Sequence, residues 1–303
     1  MTYSASDVFC DWLDVTYPPD QSPVDSIRLW LDGLLCPVRY SDDETCLVDV
    51  GSGVLAIQTK SRFHRISASG AVLSHLRDLD LFHTYLDLLG SMVHKVTRLD
   101  AARDYYTDAP PFLRHLEAKY PDDRVNLQRK ALKVTRMYSS RSSDGAQTGT
   151  WYVGHRSSAR VSCRVYDKQA QSLDVLGISI PPTTRVEFTF RKDHGCTLRD
   201  AAMPYSLYHE YASPKVVPKP ADAQPWSPHG EGWTARPVDT AIPFEVFRKR
   251  VEFSPEIERL AELAAGFGPE GRDLLLRVFQ RRVDAIARGN DGSPRRAAGG
   301  GRD

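Results

Sequence analysis

Three short segments of this chain place reactive side chains at every second residue. Val96 to Asp104 carries Arg98, Asp100 and Asp104 at alternate positions, Cys163 to Lys168 carries Arg164, Tyr166 and Lys168, and Arg185 to Arg191 carries Arg185, Glu187, Thr189 and Arg191. A β-strand turns successive side chains to opposite faces. Folded as strands, these segments put the reactive groups on one side and mostly apolar ones, such as Val165, Val186, Phe188 and Phe190, on the other. In each segment an arginine precedes the next reactive residue by two: Arg98 and Asp100, Arg164 and Tyr166, Arg185 and Glu187. If the three strands share a sheet, one face packs on helices and the other presents Asp, Tyr, Lys, Glu and Arg together. A solvated sheet face alternates as well. Taken singly, the carboxylates can be explained as partners of Arg98, Arg103, Arg164 or Arg185, and Tyr166 as an ordinary strand tyrosine.

Taken together, the groups suit nucleotidyl transfer. Asp100, Asp104 and Glu187 offer the hard oxygen ligands that Mg2+ or Mn2+ takes, and such an ion polarises and orients a phosphodiester. A tyrosine can attack phosphorus and keep the bond energy in a phosphotyrosine. Its hydroxyl has an ordinary pKa of about 10, so it needs activation. Lys168 or Arg164 nearby would favour the phenolate, and arginines would clamp the phosphate.

The charge map fits a polyanionic substrate. Residues 1–50 hold ten acids against Arg28 and Arg39, whereas residues 124–168 hold ten bases, among them Arg136, Arg156, Arg160 and Arg164, against Asp144 and Asp167. A local field of that sign attracts DNA, although a solvated basic surface has the same composition. The five cysteines are odd in number and lack zinc-ligand spacing, which fits a reducing compartment. Residues 1–14 have neither a basic nor an apolar signal region, and no apolar run approaches a membrane span. The expectation is a soluble protein without a membrane partner.

The elements that must position these residues follow from pattern. Strands are expected at 11–17, across 46–68 as a meander broken at Gly51-Ser52-Gly53, and at 96–104, 132–139, 150–154, 160–167 and 184–191. Helices are expected at 24–35, 81–94, 110–120 and 197–211, with Ser/Gly-rich 139–149 a loop tip. The fold class is therefore α+β: a large mixed or antiparallel sheet with a polar catalytic face, helices packed on the other face, and a small helical C-terminal module. Residues 1–211 form the catalytic domain. The Pro-rich stretch 212–243 reads as a linker or wrapping arm, 244–288 as the helical module, and 289–303 as a disordered tail.

Four segments carry a family resemblance: DWLDVTYP at 11–18, VTRLDAARD at 96–104, GTWYVGHRSSARVSCRVYDK at 149–168, and RVEFTFR at 185–191. Through them, over about residues 8–210, the chain resembles the replication initiation proteins of filamentous phages, and with these the trans-acting rolling-circle replication initiators of small plasmids. The resemblance implies a site-specific single-strand endonuclease and strand transferase. Such a protein nicks an origin, holds the 5′ phosphate on tyrosine, leaves a 3′ hydroxyl to prime synthesis, and later rejoins the displaced strand. Carried over, Tyr166 is the nucleophile with Tyr152 the second candidate, and Arg164 and Lys168 assist. Asp100 and Glu187 are the favoured metal ligands, followed by Asp104 and Asp11. The DNA contacts expected are Arg98, Arg136, His155, Arg156, Arg160 and Arg185. Implied partners are double-stranded and single-stranded origin DNA, a host replicative or accessory helicase and a polymerase, in a bacterial host cytoplasm, with a homodimer as a further option. The His-hydrophobic-His motif of the better-known rolling-circle nucleases is absent from the nine histidines, so any metal rests on carboxylates. Helix 271–288, with Arg272, Arg277, Arg281, Arg282 and Arg288 beside Leu275, Val278 and Phe279, suits base readout or packing and dimerisation equally. The alternative on the same scaffold is a non-catalytic origin-binding protein or repressor. A phosphate-handling enzyme unrelated to DNA is the third reading.

Overall fold

Alternating apolar segments demand a sheet with one covered face, and the chain builds that sheet from nearly all its strands. The structure, a computed structural model, describes residues 4–127, 131–140, 147–155, 159–191, 194–227, 233–237 and 255–287. In chain order the elements are β1 (Phe9–Tyr17), α1 (Val24–Gly33), β2 (Val38–Ser41), β3 (Thr45–Val50), β4 (Gly53–Lys60), β5 (Phe63–Ser69), α2 (Gly70–Asp78), α3 (Phe82–Gly90), β6 (Lys95–Tyr105), α4 (Ala109–Lys119), β7 (Arg124–Val125), β8 (Leu132–Ser140), β9 (Gln147–Val153), β10 (Val161–Asp167), α5 (Lys168–Leu176), β11 (Thr184–Arg191), α6 (Leu198–Ala202), α7 (Tyr205–Ala212), α8 (Pro255–Gly266) and α9 (Gly268–Ala287).

The described strands form one sheet in the order β2-β3-β4-β5-β1-β6-β11-β10-β9-β8-β7. Every pairing is antiparallel. The α+β class, the large sheet and the C-terminal helices agree with the sequence reading, which left mixed or antiparallel pairing open. The fully buried side is apolar: Leu13, Val15, Leu55, Ile57, Ile66, Leu99, Ala101, Trp151, Val153, Val165, Val186, Phe188 and Phe190. Helices cover that side. α2 lies against β1, β4 and β5, α4 against β9 and β10, and α6 and α7 against β6.

Two helices were not expected. α5 starts at Lys168 because Asp167 caps it, its Oδ1 accepting from the Ala170 backbone N–H at 2.9 Å, and it stops at Gly177 in the left-handed conformation (φ 68°). α2 starts at Gly70 straight from β5. The stretch expected as one helix over 197–211 is two, α6 and α7, separated at Met203-Pro204, and a Thr197/Asp200 capping box opens the first.

The chain divides into two compact units, 1–241 and 242–303. The described part of the Pro-rich stretch thus belongs to the first unit, beyond the 211 boundary read from sequence. Two tryptophans anchor it. The Trp226 indole N–H donates to Asp200 at 2.7 Å and its ring stacks on His194. The Trp233 indole N–H donates to Asp87 of α3 at 2.8 Å. In the second unit α8 packs on α9. The expected helical start at 244–254, the tail 289–303 and Arg288 lie outside the described residues.

Candidate functional site

Register, which no single strand reveals, brings the reactive residues together. β11 sits between β6 and β10, so that Arg185 is opposite Asp104 and Tyr166, Glu187 opposite Arg164, and Thr189 opposite Asp100 and Ser162. β9 continues the row, with Tyr152 opposite Arg164 and Thr150 opposite Tyr166. One face of β6, β11, β10 and β9 therefore carries Arg98, Asp100, Asp104, Arg185, Glu187, Arg164, Tyr166 and Tyr152. β1 adds Trp12 and Asp14, opposite Asp100 and Arg98. Asp11 joins because the β1–β6 register shifts between Cys10 and Trp12, a bulge that re-aims the extra residue.

Each expected carboxylate is engaged by an arginine. Arg98 donates to both Asp100 oxygens, from Nε at 3.0 Å and Nη2 at 2.5 Å. Arg164 Nη2 donates to Glu187 Oε2 at 2.7 Å. Arg185 donates to both Asp104 oxygens at 2.6 and 2.8 Å, and from Nη1 to Asp11 at 2.9 Å. Asp104 thus pairs across 81 residues with Arg185, while Arg103 turns to the helix face, donating to the Ser6 carbonyl and facing His209. Aromatic rings brace the cations: Arg98 lies 4.4 Å from the Trp12 centroid, Arg185 5.0 Å from Phe9 and Arg164 4.8 Å from Tyr166.

These contacts set the protonation behaviour. Burial, then the nearby Asp100, pushes the Glu187 carboxyl up against the opposing pull of Arg164. Burial also raises Asp11, against Arg185. Burial holds the Tyr166 hydroxyl well above its ordinary value and Glu187 adds to this, outweighing Arg185 and Arg164. Arg164 does favour the phenolate, as expected from the sequence, but burial outweighs it. Lys168, at the start of α5, is pushed down by burial and then by Arg185, and its Nζ donates to Gln171 at 2.9 Å.

The two tyrosines differ in access. Tyr166 is 6% exposed beneath Arg164. Tyr152 lines a cavity of about 180 Å³ with Arg98, Arg164, Arg191, Ser162, Thr189 and Glu187. Thr189, Ser162, Trp12 and Gly70 were not read as site residues. Gly70 matters because a Cβ there would press on the Asp11 carboxylate and, at 2.8 Å, on its carbonyl oxygen.

Not every expected DNA contact reaches this face. Arg136 shares its side of β8 with buried Val134 and pairs instead with Asp123 at 2.5 Å and Glu117 at 3.8 Å. Strand alternation sends Lys133, Thr135 and Met137 the other way, and they are exposed. His155 and Arg160 are exposed beyond the ends of β9 and β10, and Arg160 Nη2 donates to the His194 carbonyl. Arg156 lies outside the described residues, as do residues 141–146 of the Ser/Gly-rich loop. Of the α9 arginines, the side chains of Arg272, Arg277 and Arg281 are exposed.

The donors have the chemistry of a hard divalent-cation site, but their arrangement does not make one. Both oxygens of Asp100 and Asp104 are occupied by guanidinium N–H groups. Among the described residues no group of three or more His, Cys, Asp or Glu is disposed to hold a metal. Among the described residues, too, no helix is long and apolar enough to cross a membrane.

No family model matches the chain, and no curated protein does. Among solved structures, it is similar to a rolling circle replication initiator protein from Geobacillus stearothermophilus, with 18% identity and a TM-score of 0.40 over 63% of this chain and 76% of the other.

Proposed function

We propose that this chain cuts and rejoins one strand of DNA through a tyrosine, as the initiating reaction of rolling-circle replication. The observation that carries the reading is the register that sets Tyr166 and Tyr152 beside Arg164, on one face with Arg98 and Arg185, with Lys168 of α5 within electrostatic reach of Arg185, Asp11 and Asp104. In the reaction, a tyrosine Oη forms a bond to phosphorus. The bond from phosphorus to the 3′ oxygen breaks, that oxygen leaves as a hydroxyl after taking a proton, and the 5′ phosphate stays on the enzyme. Attack by a 3′ hydroxyl reverses the sequence and rejoins the strand. Arg98 and Arg164 hold the phosphate and offset its added charge. Lys168, whose ammonium burial makes easier to deprotonate, is the side chain suited to exchange protons with the phenol and the departing oxygen.

Tyr166 remains the favoured nucleophile on the resemblance, and the cavity supports Tyr152 as its rival. The substrate is origin DNA, double-stranded at recognition and single-stranded at cleavage, with a host helicase and polymerase acting next. The resemblance implies Mg2+ or Mn2+ on Asp100 and Glu187, with Asp104 and Asp11, an assignment that the arginine pairs on these carboxylates do not favour. The second reading, an origin-binding protein or repressor without catalysis, draws on the same facts: a buried neutral Tyr166 and arginine-paired carboxylates.

Incubation with Mg2+ and a supercoiled plasmid carrying the chain's own origin separates the two. The nicking reading expects open circles and a protease-sensitive covalent adduct. DNA binding without an adduct refutes it in favour of the second reading. An adduct that survives Tyr166→Phe but is lost in Tyr152→Phe moves the nucleophile to Tyr152.

A further inference from the structure

The carboxylates of this face sit as anchors for arginines. Asp100 and Glu187 are almost wholly buried, at 2% and 1%, whereas the side chains of Arg98 and Arg164 that cover them keep 32% and 30% of their surface open. The open half of each pair is the cation. Arg98 gives Asp100 two of its five N–H groups and Arg164 gives Glu187 one, so each guanidinium keeps donors for another acceptor. Both line the cavity, and register adds a third cation. Arg191 stands directly opposite Arg98 across β6 and β11, and its Nη1 donates to Ser162 Oγ at 3.4 Å and to the Ala159 carbonyl at 3.3 Å. Like charges directly opposite each other on neighbouring strands repel, and an anion between them relieves the repulsion. Three arginines, one carboxylate and the hydroxyl groups of Ser162, Thr189 and Tyr152 surround about 180 Å³. That lining suits a tetrahedral oxyanion. It does not suit a hard divalent cation, which needs a shell of oxygen ligands.

We infer that this cavity is a phosphate site built on arginine: it grips a DNA phosphate through Arg98, Arg164 and Arg191, and neither the grip nor strand cleavage needs a divalent cation. The cleavage half rests on the nicking reading. The reaction balances with this chain's own groups. Tyrosine Oη bonds to phosphorus, the bond from phosphorus to the 3′ oxygen breaks, and the proton that the phenol loses is matched by the one that the 3′ oxygen takes up. Charge added at phosphorus is met by guanidinium groups already held in place, which need no reorganisation at the moment of reaction. Asp100 and Glu187 are then positioning residues for Arg98 and Arg164.

Binding of a fluorescein-labelled oligothymidine to the full chain, followed by anisotropy at matched ionic strength with either a chelator or Mg2+, reads the grip without turnover. Wild-type affinity is expected to be no lower with the chelator, and a rise on adding Mg2+ overturns the independence. Arg191→Gln is expected to weaken binding about tenfold, the loss of one charge-assisted contact. It should also lower the slope of log affinity against log salt by about 0.7, one phosphate's share on a single strand. Arg39→Gln removes the same charge from β2, at the far end of the sheet, and is expected to do neither. Equal effects of the two variants overturn the pocket in favour of a diffuse field. In the plasmid assay the adduct is expected to form as fast with the chelator as with Mg2+. Glu187→Gln, which keeps an acceptor for Arg164, is expected to retain the adduct that Glu187→Ala loses, and equal loss in both overturns the anchoring role. An adduct that requires Mg2+ overturns metal-free cleavage and leaves the nicking reading standing. An adduct in neither buffer refutes the nicking reading, and the cleavage half falls with it, while the oligonucleotide still decides the grip.

Discussion

Replacing Arg185 with glutamine removes the charge on which the centre of the polar face depends. Arg185 is 8% exposed and gives three hydrogen bonds, two to Asp104 and one to Asp11, with its guanidinium over the Phe9 ring. Its loss leaves two carboxylates little exposed to water without a counter-charge. Breaking a buried pair from one side costs about 3–5 kcal/mol. For a unit of more than 200 residues, about 2–4 °C of Tm accompanies each kcal/mol, so the expected fall is roughly 6–20 °C. Urea unfolding with a cycle of Arg185→Gln, Asp104→Asn and the double variant isolates the pair, and a coupling of about 2 kcal/mol or more is expected. The pH dependence has a definite sign. Burial already holds the Asp11 carboxyl above its ordinary value against the pull of Arg185, and loss of Arg185 raises it further. Neutral carboxyls tolerate burial, so Arg185→Gln is less destabilised near pH 4 than near pH 8. A cost below about 1 kcal/mol that does not change with pH would refute the reasoning, because that is how a solvent-screened surface pair behaves.

Asp87→Ala is expected to release the arm, since both Asp87 oxygens serve it, one bonded to the Trp233 indole and the Arg236 backbone N–H and the other to the Arg236 guanidinium; limited chymotrypsin digestion should then cut after Trp233 faster than in wild type, and an unchanged cutting rate rejects the anchor. His209, buried against Arg103 and Ser213, has its pKa lowered from 6.5 to about 4, by burial first and Arg103 second. The unfolded chain takes up that proton below pH 6.5 while the folded one resists it, so stability is whole above pH 6.5 and falls by about 2–3 kcal/mol as pH drops toward 4; denaturant titrations of wild type and His209→Asn over that window should differ in slope, and equal slopes dismiss His209 as the source. Gly70→Ala is expected to displace Asp11, whose carboxylate and carbonyl oxygen its Cβ would meet, and to cut adduct formation by up to about a hundredfold, the size of effect that misplacing a positioned group by roughly 1 Å produces; wild-type adduct yield in this variant removes Asp11 from the site.

The strands that build the site are legible because period-two alternation is a strong signal. Val96–Asp104, Cys163–Asp167 and Arg185–Arg191 are strands with the faces expected of them, whereas Lys168, expected at the end of the second, opens α5 instead. The covered side of β8 is legible in the same way, since Val134 and Arg136 share parity, and only the regional count of basic residues suggests Arg136 as a DNA contact. α5 also left a trace: an aspartate cap at Asp167 and a terminal glycine at Gly177, around a stretch with little apolar periodicity. Order across the sheet left none. That β11 enters between β6 and β10 depends on packing along the whole chain, and this placement decides that Asp104 meets Arg185 and that Glu187 meets Arg164. The bulge that swings Asp11 onto Arg185 is likewise a product of two mismatched registers.

Alternation assigns a residue to a face but says nothing of its depth within that face, and depth separates the two tyrosines. Both flank Arg164 on the same side of the sheet. Tyr166 is opposite Arg185 on β11 and faces Thr150 on β9, with Arg164 over its ring. Tyr152 is one strand nearer the edge, opposite exposed Thr135 of β8, and it opens on the cavity. Burial holds the first hydroxyl well above its ordinary value, so as the proposed nucleophile Tyr166 would need the Arg164 guanidinium over its ring to move, whereas Tyr152 already opens on the cavity.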